Sequence, residues 1–143
     1  MLKPLEEFYC DTCRGLIEAK KVGYFVFDQD EDQKRHSFRI VHSQKSCITD
    51  LPSSLSLERI TSDDGLGILM SWIHLGELEG NDTSEYRSNK EFAEVFKRLH
   101  LPHYEQARIY FDRALSDGLL DGNSNAWHSP GTLQEIISRY EEE

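Results

Sequence analysis

Hydrophobic residues in the first 50 positions are concentrated in two short runs that are rich in aromatic and β-branched side chains. These runs are residues 23–27 (Gly-Tyr-Phe-Val-Phe) and residues 37–41 (Ser-Phe-Arg-Ile-Val), a composition that is typical of β-strands. The connection between them, from Asp28 to Arg35, is highly charged. Two strands joined by a short polar connection predict a β-hairpin.

After residue 60 the hydrophobic residues recur at intervals of three and four, which is the period of amphipathic helices. We predict helices over about residues 62–78, 89–99, 102–116 and 130–140. Each begins at residues that favour a helix N-terminus: Ser62, Ser88 with Glu91, Pro102, and Ser129 with Pro130. The first helix is apolar on two sides, with Leu66 and Met70 on one of them, and is therefore predicted to be central and buried.

A turn-rich stretch at residues 50–54 (Asp-Leu-Pro-Ser-Ser) separates these two patterns. We therefore predict an α+β protein with a small β-hairpin segment over residues 1–50 and a compact helical domain over residues 51–143. A chain of 143 residues with 7 Phe, 6 Tyr and 2 Trp can bury a modest core, which excludes a disordered acidic chain.

The chain carries 16 Lys and Arg against 26 Asp and Glu, which gives a net charge of -10. Most of the excess lies after residue 60, where 16 acidic residues outnumber 7 basic ones. This charge repels polyphosphates at long range. No apolar run approaches the roughly 18 residues of a membrane span, and the N-terminus has no signal-peptide core. We therefore expect a cytoplasmic protein.

All three cysteines precede residue 48: Cys10 and Cys13 form a CxxC pair, and Cys47 follows shortly after His42. An odd number of cysteines disfavours a simple disulfide framework. Zinc takes four nitrogen or sulfur ligands in a tetrahedron, and two ligand pairs from distant chain positions supply them. We predict a structural Zn²⁺ site at these four residues, because four protein ligands leave no open position for a catalytic water.

Other interpretations of these residues remain open. The cysteines are also explained as buried, unmetallated thiols, or the CxxC pair as a redox pair. His36 is a substitute for His42 as the fourth ligand. The remaining histidines lie on separate predicted helices and a loop, and we predict that none of them binds zinc: His74, His100, His103 and His128.

The order of knuckle, strand, turn, strand and second knuckle over residues 8–48 resembles the zinc-ribbon class. The resemblance rests on Cys10, Cys13, Gly15, His42 and Cys47. It departs from the commonest four-cysteine form at His42. The resemblance implies a structural zinc ion held between two knuckles.

Three helices followed by a short hairpin, over about residues 64–128, resemble a winged helix-turn-helix. Its helix-turn-helix would span residues 91–115, with residues 99–102 as the turn and residues 121–125 in the wing. This resemblance implies a DNA-binding protein in which helix 102–116 reads the bases.

Helical geometry divides helix 102–116 into two faces. The predicted inward face is Tyr104, Ala107, Phe111, Ala114 and Leu115. The predicted outward face, which we expect to bind a partner, is Glu105, Gln106, Ile109, Asp112 and Arg113. Two acids and one base disfavour DNA on this face, because DNA recognition needs donors for bases and cations for phosphates.

The sequence contains no glycine-rich phosphate loop, no HExxH zinc motif and no GxSxG nucleophile motif. We therefore predict that the protein is not an enzyme. The hypothesis that the residues favour is a zinc-stabilised protein-interaction module that regulates or inhibits another protein with a basic surface. The alternative is a winged-helix transcriptional regulator that binds DNA.

Overall fold

The computed structural model describes residues 2–49, 52–73, 86–120 and 127–141. Within these ranges the chain forms two small antiparallel sheets and a set of helices, so the predicted α+β class is confirmed. None of the described helices is both long enough and apolar enough to cross a membrane. The predicted wing at 121–125 and the predicted end of the first helix at 74–78 lie outside the described residues.

Short strands come first along the chain and helices follow. The strands are β1 (Phe8–Tyr9), β2 (Leu16–Ile17), β3 (Gly23–Gln29), β4 (Arg35–His42) and β5 (Ser53–Ser56). The helices are α1 (Leu57–Ile60), α2 (Asp63–Ile73), α3 (Asn89–His100), α4 (Tyr104–Ala107), α5 (Phe111–Ser116) and α6 (Pro130–Glu141). Short 3-10 turns occupy Lys20–Val22 and Arg108–Tyr110.

The predicted hairpin is present as β3 and β4, and β5 extends it to a three-stranded antiparallel sheet in the order β4-β3-β5. A β-bulge in β4 places Ser37 and Phe38 opposite the single residue Phe27. Ser37 has a φ of 57°, as an inserted bulge residue often does. The bulge directs the Phe38 ring toward the core, where its centroid lies 5.7 Å from that of Phe25.

Two carboxylates cover the outer edge of β4. The Phe38 N–H donates to Glu91 Oε1 at 2.9 Å, and the Ile40 N–H donates to Asp11 Oδ2 at 2.8 Å. The Asp11 N–H in turn donates to the Ile40 carbonyl at 2.8 Å. These bonds tie the edge of the sheet to α3 and to the segment that carries the CxxC pair.

Three of the predicted helix starts are confirmed by capping bonds. Ser62, Ser88 and Ser129 each accept a hydrogen bond from the backbone N–H three residues later, at 3.2–3.4 Å. The capping box at Ser88 is only half formed, because the Glu91 side chain reaches the Phe38 N–H instead.

The prediction of one continuous helix over residues 102–116 is wrong. Pro102 lies in a turn, His103 has a left-handed φ of 73°, and the helix begins only at Tyr104. The 3-10 turn Arg108–Tyr110 then separates α4 from α5. Because of these two breaks, side chains before and after each break do not follow one helical spacing. The inward and outward faces expected for a continuous helix are therefore not formed.

Burial shows the consequence for the predicted faces. Glu105 and Gln106, which were expected to face outward, are 6% and 3% exposed, whereas Leu115, which was expected to face inward, is 42% exposed. In α2, Leu66 and Met70 are 38% and 55% exposed. The prediction that both apolar sides of this helix are buried is therefore wrong at those two positions.

The buried side chains form two hydrophobic clusters. The first joins the sheets to α1, α2 and α3 and contains residues from Phe8 to Leu99. The second runs from Tyr104 to Tyr140 and joins α4, α5 and α6. The division between the clusters falls at the turn between α3 and α4, and the predicted domain boundary at residues 50 and 51 stays a prediction.

Candidate metal centre

The fold brings together the four residues that the sequence analysis assigned to a metal. Cys10 and Cys13 lie in the loop between β1 and β2, His42 is the last residue of β4, and Cys47 follows in the next turn. Their ligand atoms, three sulfurs and one imidazole nitrogen, all lie within 4.8 Å of one another. This arrangement is compatible with a metal site, and all three cysteines are free of disulfide bonds.

Backbone amides in the first knuckle point at the sulfurs. The Cys13 N–H donates to Cys10 Sγ at 3.5 Å, and the Gly15 N–H donates to Cys13 Sγ at 3.4 Å. Arg14 adopts the left-handed φ of 65° that makes this tight turn. A Cβ at Gly15 would lie 3.4 Å from Cys13 Sγ, which is ordinary van der Waals contact.

His42 presents its Nδ1 atom to the cysteines. This nitrogen lies 3.4 Å from Cys13 Sγ and 3.8 Å from Cys47 Sγ. The opposite nitrogen, Nε2, lies 2.9 Å from the Leu16 carbonyl. Because a carbonyl only accepts hydrogen bonds, Nε2 carries the proton and Nδ1 has its lone pair free for a metal, as is typical of histidine ligands.

The two distances from His42 Nδ1 to sulfur are close to those of a tetrahedral zinc centre. A tetrahedron with zinc–sulfur and zinc–nitrogen bonds of about 2.3 and 2.0 Å has edges of roughly 3.6 Å between sulfur and nitrogen. The two nitrogen–sulfur distances around His42, 3.4 and 3.8 Å, bracket that value. Solvent does not reach the cluster from the side of Cys10 and Cys47, which are 1% and 5% exposed.

The thiols influence one another's ionisation. Burial raises the pKa of Cys10, but hydrogen bonds to its sulfur, first from the Cys13 backbone, outweigh burial and lower the pKa to about 6. Burial raises the pKa of Cys47 above its ordinary value, as do the neighbouring Cys10 and Cys13 sulfurs. The Cys10 thiolate is thus favoured, whereas ionisation of Cys47 beside it is opposed. A bound cation would remove this opposition, because its positive charge stabilises neighbouring thiolates.

The second knuckle is held by neighbouring loops. The Thr12 hydroxyl donates to the Cys47 carbonyl at 2.7 Å, which connects the two knuckles directly. The Ser43 N–H donates to the Val22 carbonyl at 2.8 Å, and the Cys47 N–H donates to the Gln44 carbonyl at 3.0 Å. These hydrogen bonds define the path of the turn after β4.

The other histidines of the described residues lie away from this cluster. His100 Nε2 is 2.8 Å from the Ile60 carbonyl, His103 Nε2 is 3.0 Å from a Gln134 nitrogen, and the His128 ring stacks on Tyr104. His36, the proposed substitute ligand, is not part of the cluster. His74 lies outside the described residues.

The residues predicted to bind a partner are not all available at the surface. Ile109 is 50% exposed, and Asp112 and Arg113 are exposed, with the Arg113 guanidinium 4.8 Å from the Tyr140 ring centroid. Glu105 and Gln106 are buried, and the Glu105 carboxylate is paired with Arg98. The sequence analysis missed this buried pair, because no local motif connects two residues on different helices.

No protein-family model, no curated protein and no solved structure matches the chain. The zinc-ribbon and winged-helix resemblances therefore stay predictions.

Proposed function

We propose that the protein is a non-catalytic, zinc-stabilised protein-interaction module that acts in the cytoplasm. The observation that carries this proposal is the convergence of three sulfurs and His42 Nδ1 within 4.8 Å. Thiolate and imidazole ligands in a tetrahedron favour zinc over magnesium or calcium. Four protein ligands supply a complete zinc coordination shell, which is typical of structural zinc and leaves no position for a reacting water.

Zinc would stabilise a part of the fold that has little regular secondary structure. β1 and β2 have only two residues each, and the loops around Cys13 and Cys47 contain no helix. Structural zinc contributes on the order of 10 kcal/mol to the folding of such small units at neutral pH. We infer that these loops depend on the metal for their order.

Elemental analysis tests the zinc site. We expect one zinc ion per chain in the purified wild type, and loss of that zinc in Cys47→Ser and His42→Ala. The matched control is His36→Ala, because His36 lies on the same strand, β4, but outside the cluster, and it should retain zinc. A wild type that is folded without any bound metal would contradict the site, as would loss of zinc from His100→Ala, His103→Ala or His128→Ala.

Cys47→Ser should also unfold the loops of the first segment and leave most helices intact. Far-ultraviolet circular dichroism measures the helices, and amide exchange over residues 9–17 and 42–48 measures the loops. Equal protection of those loops with and without zinc would contradict the stabilising role of the metal.

The candidate partner surface, called the strip below, is defined by three exposed residues of the segment 109–115: Ile109, Asp112 and Leu115. Ile109 and Leu115 are 50% and 42% exposed, and Asp112 lies between them in the chain. Ile109 also lines a groove of about 330 Å³ that extends to Cys10 in the first knuckle. Apolar side chains beside a groove are suited to docking a protein segment, and the net charge of -10 favours a basic partner.

Quantitative co-purification tests this surface. We expect a basic protein to be retained by the wild type at low salt, released as the salt concentration rises, and retained several-fold less by Ile109→Ser. The matched control is Met70→Ser, which changes a side chain of similar exposure on α2. A partner that binds Ile109→Ser and the wild type equally would contradict the assignment of this strip.

DNA binding is the alternative function, and a separate binding measurement tests it. Helix 102–116 is interrupted, and two residues of its expected reading face, Glu105 and Gln106, are buried. We therefore expect no submicromolar binding to a random-sequence duplex at about 0.15 M salt in fluorescence anisotropy. Tight binding that Arg113→Ala weakens would overturn the interaction-module proposal and favour the regulator.

A further inference from the structure

Charged side chains near the turn between α3 and α4 hold the residues on either side of Cys10. The Tyr9 N–H donates to Glu105 Oε2 at 2.9 Å, and the Tyr9 carbonyl accepts a hydrogen bond from Arg98 Nη2 at 3.2 Å. On the other side of Cys10, Arg98 Nη1 donates to Asp11 Oδ2 at 2.7 Å. Two side chains thus fix the backbone that carries the first ligand.

Arg98 and Glu105 form a bidentate, buried ion pair. Arg98 Nε lies 2.7 Å from Glu105 Oε1, and Arg98 Nη2 lies 2.9 Å from Oε2. Their side chains are 5% and 7% exposed. Paired planar groups of this kind have a narrow range of geometry, and the pair lies where the two hydrophobic clusters meet. The pair is therefore a rigid support for the groups that it contacts, Tyr9 and Asp11.

The same network reaches the strand that carries the histidine ligand. Asp11 Oδ2, which accepts from Arg98, also accepts from the Ile40 N–H at 2.8 Å. Ile40 precedes His42 by two residues in β4. A single carboxylate oxygen therefore connects α3, the first knuckle and the strand that ends at His42.

We propose that Arg98 and Glu105 are positioning residues of the metal centre, which hold Cys10 in place relative to His42 through Tyr9 and Asp11. This inference rests on the proposed zinc site. Groups that hold metal ligands in position commonly contribute 10–100-fold to metal affinity. Because coupling between two equilibria is reciprocal, a turn whose order favours zinc binding is itself stabilised when zinc binds.

The test measures zinc affinity in the full-length protein by competition with a chromogenic chelator. For Arg98→Met we expect affinity to fall by about 10–100-fold. Arg98→Lys should lose less zinc affinity than Arg98→Met, because lysine keeps the positive charge. It should still lose some affinity, because lysine cannot form the bidentate pair. The matched control is Arg59→Met, which removes an exposed arginine that pairs with Asp64 at 2.9 Å, and its zinc affinity should equal that of the wild type.

Amide exchange separates positioning from a general loss of stability. In the wild type and in Arg59→Met, removal of zinc should increase exchange over residues 98–107. In Arg98→Met, exchange over the same residues should be high and independent of zinc, because the connection to Cys10 is lost. A variant that is merely less stable would keep the zinc-dependent difference.

The possible results distinguish the positioning role of Arg98 and Glu105 from the zinc site itself. Wild-type zinc affinity in a folded Arg98→Met, or no zinc-dependent exchange over residues 98–107 of the wild type, overturns the positioning role. If Arg98→Met does not fold, Arg98→Lys and the double variant Arg98→Met with Glu105→Leu, which removes both buried charges together, decide the same question. A wild type that binds no zinc contradicts the proposed function itself, whereas one bound zinc with equal affinity in all variants contradicts only this inference.

Discussion

His100 is a residue whose charge state is set by burial. Its Nε2 atom lies 2.8 Å from the Ile60 carbonyl, and its ring centroid lies 5.7 Å from that of Phe96. Burial lowers the pKa of His100, and the hydrogen bond to Ile60 and the charge of Asp63 only partly oppose this effect. The folded protein therefore favours neutral His100 more strongly than the unfolded chain does.

The free energy of unfolding should consequently fall as the pH is lowered through the pKa of an unfolded histidine, about 6.5. The unfolded chain binds a proton at His100 at a higher pH than the folded protein, so acid favours unfolding. Urea unfolding at about pH 7.5 and about pH 5.5 measures the effect. His100→Gln still donates to Ile60 but does not titrate, so it should lose less stability than the wild type over this interval. An equal loss in both proteins would contradict the assignment to His100.

The four candidate metal ligands were predictable because ligand spacing is a local property. A CxxC pair and a histidine shortly before a third cysteine are visible in the sequence whatever the rest of the fold does. The support from Arg98 was not predictable, because it lies 87 residues from Asp11 in the chain. Local patterns contain no information on such a contact.

The junction between α1 and α2 depends on a close backbone approach at Gly65. A Cβ at this position would lie 2.1 Å from the Ile60 carbonyl oxygen, which is backbone and cannot rotate away. Two residues later, a Cβ at Gly67 would have no neighbour within 4 Å among the described residues. The same helix therefore contains one required glycine and one replaceable glycine.

Gly65→Ala and Gly67→Ala should change stability in opposite directions. We expect Gly65→Ala to lower the free energy of unfolding by about 1–3 kcal/mol, because the junction must open to admit the methyl group. Gly67→Ala should raise it by up to about 1 kcal/mol, because alanine has the higher helix propensity. Thermal and urea unfolding of both variants measure these changes. Equal behaviour would show that the approach to Ile60 is unimportant.

At the scale of elements, the sequence predicted those helices and strands whose ends are marked by local chemistry. Serine caps mark α2, α3 and α6, and aromatic and β-branched runs mark β3 and β4. β5 was not predicted, because its sequence Ser-Ser-Leu-Ser has no strand composition and its pairing with β3 comes from tertiary structure. The break at His103 was missed because a non-glycine residue there adopts a positive φ.

At the scale of the whole molecule, the ionic network occupies the place where the two hydrophobic clusters meet. Buried ion pairs contribute less to stability than apolar packing of equal size, but their fixed geometry defines how the groups around them are arranged. We therefore predict that the Arg98–Glu105 pair contributes more to the arrangement of α3 and α4 against the first knuckle than to the free energy of unfolding. The sequence predicted the α+β class, but it did not predict the contacts of this network.

The carboxylates along β4 have a consequence for self-association. The edge amides of a sheet are the template on which a strand of another molecule adds, and many proteins aggregate by this route. At Phe38 and Ile40 these amides already donate to Glu91 and Asp11. An incoming strand would have to displace both carboxylates and leave two negative charges against its own backbone, so this edge of the sheet is protected against intermolecular pairing.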